Sequence, residues 1–164
     1  MAELQDQAIR QHCKALRMPT IGTQFARLAD AATREGQSHL GYLEALLAAE
    51  MEERESRAIS RLLHEAKLPR MKTLDGFEFD RSGVSAAQLR TLAEGDYVTR
   101  AEPILLVGEA GTGKTHLATG LCVAACRQRR RVRFTTATAL INELAEARMP
   151  INSVVHWGDG NAST

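Results

Sequence analysis

The sequence predicts an α/β protein in which a helical N-terminal region precedes the first part of a parallel α/β domain with an incomplete sheet. Apolar residues recur at helical spacing through residues 1–68. A short apolar run at 103–107 has the length and composition of a buried strand. A glycine-rich loop at 108–115 and an alanine-rich segment at 117–126 follow it directly. Strand, glycine loop and helix in this order are typical of a parallel α/β unit.

The N-terminal region divides into three helices. The first is expected to end near the Met18-Pro19 pair, because the residue before a proline avoids helical backbone angles. Gly36 is a C-terminal stop for the second helix. Ser38 caps a long third helix, whose apolar pattern breaks before Pro69.

A charge-rich block occupies residues 50–57, in the middle of the third helix. Its mixed signs favour a solvated face with ion pairs four residues apart. A partner-binding surface is the alternative.

A connector and one further helix lead to the glycine loop. Phe77 and Phe79 alternate with acidic residues, as in a short extended segment with one buried edge. Ser85 caps a helix that Gly95 ends.

The loop matches the phosphate-binding pattern G-x-x-x-x-G-K-[ST] in full. The predicted nucleotide-binding residues are Gly108, Glu109, Ala110, Gly111, Thr112, Gly113, Lys114 and Thr115. The preceding strand pattern and the following helix pattern give the motif the structural context that it needs. A nucleoside triphosphate is therefore the predicted ligand, with Mg²⁺ as its companion ion.

Each residue type in the loop has a physical reason. Gly108, Gly111 and Gly113 can adopt backbone angles closed to other residues, and they let main-chain N–H groups approach phosphate oxygens. The start of the following helix favours an anion. The Lys114 ammonium is expected to bind the β- and γ-phosphates, and the Thr115 hydroxyl to ligate Mg²⁺.

A basic cluster at residues 127–131 follows the loop's helix. It complements the dipole at a helix C-terminus, or it forms a DNA-facing patch. Residues 132–135 are predicted as a second strand, and Thr136 or Thr138 as the cap of a last helix.

Bulk composition excludes several classes of protein. The net charge is +1, so any contact with nucleic acid needs a local patch. There is no apolar run of membrane-spanning length, and the N-terminus is charged, which favours a cytoplasmic protein without a membrane partner. Cys13, Cys122 and Cys126 form no C-x-x-C pair and are expected to be buried thiols.

Three stretches together resemble one family. They are Lys72-Thr73-Leu74 with Phe77 and Phe79, the loop continued by His116-Leu117-Ala118, and Arg133-Phe134-Thr135-Thr136. Over about residues 10–148 the chain resembles the IstB-like ATPases, helpers of insertion-sequence transposition within the AAA+ class and relatives of the DnaC helicase loaders. The resemblance implies ATP and Mg²⁺ binding, oligomers on DNA, and work with a transposase.

The chain departs from this family after the last predicted helix. The family continues with an apolar strand that ends in an Asp-Glu pair (the Walker B motif), then a sensor residue and an arginine finger. Here His156 and Gly158 interrupt the only comparable run, and Asp159 is its single acid. We expect a C-terminally truncated chain, by a shifted reading frame or a premature end, with a functional tail as the alternative. Whether it hydrolyses ATP is left open by the sequence.

The predicted organisation has four parts. They are a helical region for assembly or partner contacts at 1–68, a connector and helix at 69–100, an ATP-binding half-domain at 101–149, and a non-homologous disordered tail at 150–164. Because the strands that would pair with residues 103–107 are missing, low stability is expected for the half-domain.

Three functions compete at this point. The first is an ATP-binding transposition helper, present as a truncated form without hydrolysis residues. The second is a helicase loader of the DnaC type. The third is a non-enzymatic fragment that joins full-length oligomers and blocks them. A small-molecule P-loop kinase is disfavoured, because no lid or acidic base follows the loop.

Overall fold

The computed structural model of the chain describes residues 2–79 and 83–148. Its α-helices are α1 (Ala2–Ala15), α2 (Pro19–Glu35), α3 (His39–Glu65), α4 (Ala86–Glu94), α5 (Asp96–Thr99), α6 (Lys114–Arg127) and α7 (Ala137–Arg148). A 3-10 turn at Leu74–Gly76 lies between α3 and α4. The chain divides into two compact units, Met1–Arg133 and Phe134–Thr164.

Two predicted helix boundaries in the N-terminal region are confirmed, the end of α2 at Gly36 and the start of α3 at Ser38, whereas α1 ends at Ala15, before the Met18-Pro19 pair. Gly36 ends α2 in the left-handed conformation, with φ of 64°. The Ser38 hydroxyl accepts a hydrogen bond from the Gly41 backbone N–H at 3.1 Å, and thereby caps α3. Both features follow from local chemistry, since glycine adopts positive φ without steric cost and serine satisfies an otherwise unpaired helix donor.

The charged block of α3 forms hydrogen bonds to the first turn of α2. Glu50 is only 4% exposed, and its Oε2 accepts hydrogen bonds from the backbone N–H groups of Thr20 at 2.8 Å and Ile21 at 3.1 Å. Arg54 donates from Nε to Glu50 Oε1 at 2.8 Å, and Arg57 donates to the Thr20 hydroxyl at 3.1 Å. Glu50 therefore caps the first turn of α2 from a different helix.

Burial disfavours the charged form of Glu50, but its hydrogen bonds outweigh that cost. The donors from Arg54, Ile21 and Thr20 together hold the pKa of Glu50 below its ordinary value. The ion pairs expected on a solvated face are present, including Glu53 with Arg57 at 3.3 Å. The prediction of a solvated face is wrong for Glu50 itself.

A second group of contacts centres on α6. Phe77, Leu89, Leu117 and Leu121 form a buried apolar cluster. Partly buried side chains surround this cluster, namely those of Leu74, Phe79, Val84, Leu92, Ile104 and Leu106. The connector thus contributes buried side chains to the same core as α4 and α6.

The predicted parallel sheet is wrong. Neither residues 103–107 nor residues 132–135 form a strand, and the described parts of the chain, 2–79 and 83–148, contain no sheet. Ile104 and Leu106 pack on the apolar cluster, whereas Leu105 and Val107 are 86% and 83% exposed. The side chains alternate as in a strand, but a strand forms only when another pairs with it.

The last described helix begins as expected. The Thr136 hydroxyl accepts a hydrogen bond from the Ala139 backbone N–H at 3.1 Å, so Thr136 is the cap of α7 rather than Thr138. The disordered tail predicted for residues 150–164 lies outside the described residues. In the part of the chain that is described, no helix is both long enough and apolar enough to cross a membrane.

Candidate phosphate-binding site

The glycine loop forms a turn that delivers the chain into α6. Gly111 and Gly113 have φ of 82° and 85°, in the left-handed region that favours glycine. Gly113 occupies the N-cap position of α6. A side chain at Gly113 would also meet the Phe77 ring, since an ideal Cβ there would lie 2.7 Å from Phe77 Cε2. Glycine is required at this position by backbone angle and by space.

Lys114 folds back over the loop that precedes it. Its ammonium donates to the carbonyl oxygens of Gly108, at 2.7 Å, and of Glu109. The Thr112 hydroxyl donates to the same Glu109 carbonyl at 2.9 Å. The loop therefore closes around its own lysine, which places a positive charge inside the turn.

The first turn of α6 is open at its N-terminus. The Leu117 N–H donates a hydrogen bond to the Gly113 carbonyl at 2.9 Å. Gly113 is the N-cap residue and has no side chain that could accept a bond from the first turn of α6. Helix N-termini of this kind bind phosphate through free N–H groups and the helix dipole. The Thr115 carbonyl accepts a bond from the Thr119 hydroxyl at 2.7 Å.

Thr115 is exposed at the start of α6, where a hydroxyl could reach an ion. Among residues 2–79 and 83–148, no group of three or more His, Cys, Asp or Glu side chains could hold a metal ion. An ion at Thr115 would therefore depend on the oxygens of a bound phosphate.

A cleft of about 560 Å³ lies beside the loop. Small-molecule sites typically span about 300–1,000 Å³, so this cleft is large enough for a nucleotide. The residues that line it come from the connector and from the loop and α6. They are Lys72, Gly76, Phe77, Glu78, Ala110, Gly111, Thr112, Gly113 and His116.

His116 joins the connector to α6. Its Nε2 donates a hydrogen bond to the Thr73 carbonyl at 2.9 Å, and its ring meets the Phe77 ring edge-on at a centroid distance of 5.2 Å. An ideal Cβ at Gly120 would lie 2.9 Å from Leu74 Cγ and 3.2 Å from the Leu74 nitrogen. Neither contact was predicted for His116 or Gly120, because their partners lie more than 40 residues away along the chain.

The basic cluster after α6 makes contacts within the chain. Arg130 donates to the Gly95 carbonyl at 2.9 Å, and Gln128 to the Ala93 carbonyl at 2.7 Å. Arg129 pairs with Glu55 of α3 at 3.5 Å. These contacts join the end of α6 to α3 and α4, which is a structural use that neither sequence interpretation included.

Two of the cysteines lie together on α6. Burial raises the pKa of Cys126, and burial together with the neighbouring Cys126 raises the pKa of Cys122. Both thiols therefore stay protonated at neutral pH. Cys13 is buried, as Cys126 is, while Cys122 is half-buried, so the prediction of buried thiols is confirmed for two of the three.

Comparison with known proteins places this loop in a named family. The family of IstB-like ATP binding proteins matches residues 11–151. A putative insertion sequence ATP-binding protein of Sinorhizobium fredii (strain NBRC 101917 / NGR234) is 42% identical over 135 residues, which are 81% of this chain and 45% of that protein.

Two further relatives are also named as ATP-binding proteins of insertion sequences. The putative ATP-binding protein of insertion sequence IS5376 from Geobacillus stearothermophilus is 34% identical over 140 residues, covering 85% of this chain and 56% of the relative. The putative ATP-binding protein of insertion sequence IS21 from Pseudomonas aeruginosa is 33% identical over 134 residues, covering 81% and 51%. The chain spans about half the length of the curated relatives it matches. It belongs to the family of IstB-like ATP binding proteins of insertion sequences.

Proposed function

We propose that the chain binds Mg²⁺–ATP at the loop of residues 108–115. The observation that carries the proposal is the closure of this loop around the Lys114 ammonium, directly before the uncapped N-terminus of α6. A positive charge and free helix N–H groups then meet at one place, which is the chemistry that a polyphosphate requires.

The residues of the loop have distinct parts in this proposal. Backbone N–H groups from Gly108 to Gly113 would bind phosphate oxygens, with Glu109, Ala110 and Thr112 contributing main chain. Lys114 would exchange its bonds to loop carbonyls for the β- and γ-phosphates. The Thr115 hydroxyl would ligate Mg²⁺, which would supply positive charge to offset that of the phosphates.

The biological role follows from the family. The relatives are named as insertion sequence ATP-binding proteins. We therefore propose that the chain serves DNA transposition as an ATP-binding helper, with DNA and a transposase as partners and a homo-oligomer as the assembled form. The helical region would supply contacts for that assembly.

Hydrolysis requires groups beyond the loop. A carboxylate that orients water and an acid that holds Mg²⁺ are parts of phosphoryl-transfer sites. In this chain no Asp-Glu pair follows residue 115. We therefore propose ATP binding, and no hydrolytic step, for the residues of this sequence.

The test is a calorimetric titration of the whole chain with ATP in the presence of Mg²⁺. Lys114→Ala removes the loop cation, and Lys14→Ala on the exposed face of α1 is a matched control with the same change of charge. Binding by the wild type and by Lys14→Ala, with a loss of at least roughly tenfold in Lys114→Ala, is the expected result. Equal affinity in all three proteins, or no binding by the wild type, would contradict the proposal.

A further inference from the structure

We propose that the connector is part of the nucleotide site, with Lys72 as a second phosphate-binding cation and His116 as the residue that positions it. This inference rests on the proposed binding of ATP at the loop. Lys72 of the connector lines the cleft, whereas the ammonium of Lys114 is bonded to loop carbonyls.

The connector is fixed against the loop at several points. His116 Nε2 donates to the Thr73 carbonyl at 2.9 Å, directly next to Lys72 in the chain. Phe77 lies over Gly113 and meets Phe79 edge-on at a centroid distance of 5.2 Å. The Lys72 backbone is therefore held beside the loop, while its side chain remains exposed and free to reach an anion.

The charges in the cleft explain why a second cation matters. A triphosphate carries several negative charges, and Glu78 adds another to the same cleft. Opposite charges at short range favour binding, and like charges disfavour it. The positive charge of Lys72 offsets the negative charge of Glu78, so that the cleft still attracts a polyphosphate.

His116 acts through the backbone in this arrangement. Its hydrogen bond to Thr73 fixes the segment that carries Lys72, and its ring supports Phe77. His116→Phe keeps an aromatic ring but removes the donor, whereas His116→Gln keeps an N–H donor on a similar reach. The two substitutions separate the hydrogen bond from the packing.

The test measures the affinities of the whole chain for ATP, ADP and AMP, each with Mg²⁺. Lys72→Ala is expected to weaken ATP binding by roughly three- to tenfold, and AMP binding less, because the effect should grow with the number of phosphates. Glu78→Gln is expected to strengthen ATP binding. Lys14→Ala should leave all three affinities unchanged.

A double-mutant cycle tests the positioning role. His116→Phe should weaken ATP binding in the wild type but add little in the Lys72→Ala background, since its effect passes through Lys72. His116→Gln should restore most of the affinity. Additive losses, or no rescue by glutamine, would overturn the role of His116.

The outcomes separate the two proposals. ATP binding that Lys114→Ala abolishes and Lys72→Ala leaves intact would overturn this inference alone. An absence of ATP binding in the wild type would overturn the proposed function, and this inference with it. Circular dichroism of each variant checks that α1–α7 remain folded, so that a lost affinity is assigned to the site.

Discussion

The helices α1–α3 and the segment at residues 103–107 meet the same requirement in different ways. In each, the backbone N–H and C=O groups need hydrogen-bond partners and the apolar side chains need to be buried. The backbone N–H and C=O groups of the helices bond to one another within each helix, and the side chain of Glu50 on α3 caps the first turn of α2. The segment at 103–107 partly buries Ile104 and Leu106 but leaves Leu105 and Val107 in solvent.

This difference explains where the local sequence determines the structure. A helix is encoded within a few residues, because its hydrogen bonds join residues four apart. A strand depends on another segment, so an apolar β-branched run is a necessary condition and not a sufficient one. The turn of the phosphate loop forms without strand pairing in the described residues, through its own glycines and Lys114.

The largest expected effect concerns the cap inside the helical region. Glu50→Ala would leave the N–H groups of Thr20 and Ile21 without their acceptor and is expected to cost about 2–3 kcal/mol of unfolding free energy. Glu53→Ala is the matched control, since Glu53 is half-exposed and should change stability by less than about 0.5 kcal/mol. Urea unfolding followed by circular dichroism measures both, and equal effects would contradict the role of Glu50.

The next prediction compares two neighbouring leucines in the unpaired segment. Leu106→Ala removes a side chain that packs on the α6 cluster and is expected to cost about 1–2 kcal/mol, below the cost for a fully buried leucine. Leu105→Ala should change stability by less than about 0.5 kcal/mol, because Leu105 is exposed. Thermal unfolding distinguishes them, and similar losses would mean that the segment is covered on both faces.

A smaller effect is expected where α6 meets the connector. Gly120→Ala adds a Cβ that meets Leu74 side-chain and backbone atoms, so it should destabilise the protein by about 1 kcal/mol despite the better helix propensity of alanine. Gly41→Ala in α3 has ordinary contact distances, the nearest being 3.6 Å to Ser38 Oγ. This control should be neutral or stabilising, and the opposite order would contradict the close approach at Gly120.

The smallest effect is a pH dependence that Glu50 adds to the stability of the helices. Its pKa in the folded chain lies below the ordinary value of 4.5. The stability it contributes is therefore fully present above that value and is lost as the pH falls through the lowered pKa.

Urea midpoints between pH 6 and pH 3 measure this contribution. The wild type should lose stability more steeply than Glu50→Gln in the acidic part of that range. Parallel curves would contradict the lowered pKa.

The sequence predicted the helices well and the sheet wrongly. Gly36, Ser38 and Thr136 are short-range signals, and each ends or begins a helix as expected. The sheet was inferred from residues 103–107 and 132–135, whose partners the described residues do not contain.

The site was predictable in part for the same reason. The motif gave the turn at Gly111 and Gly113, which depends on nearby residues. The connector's place in the lining of the cleft was not predicted, because the contact of His116 with Thr73 spans 43 residues. No spacing rule connects two such positions.

The most direct test of the central claim is hydrogen–deuterium exchange of the whole chain with and without Mg²⁺–ATP, read by mass spectrometry. We expect slow exchange in α1–α3 in both states and new protection by ATP in peptides that cover residues 108–118 and 72–79. Lys114→Ala should lose this protection. Unchanged exchange of residues 108–118 at saturating ATP would contradict ATP binding at the loop.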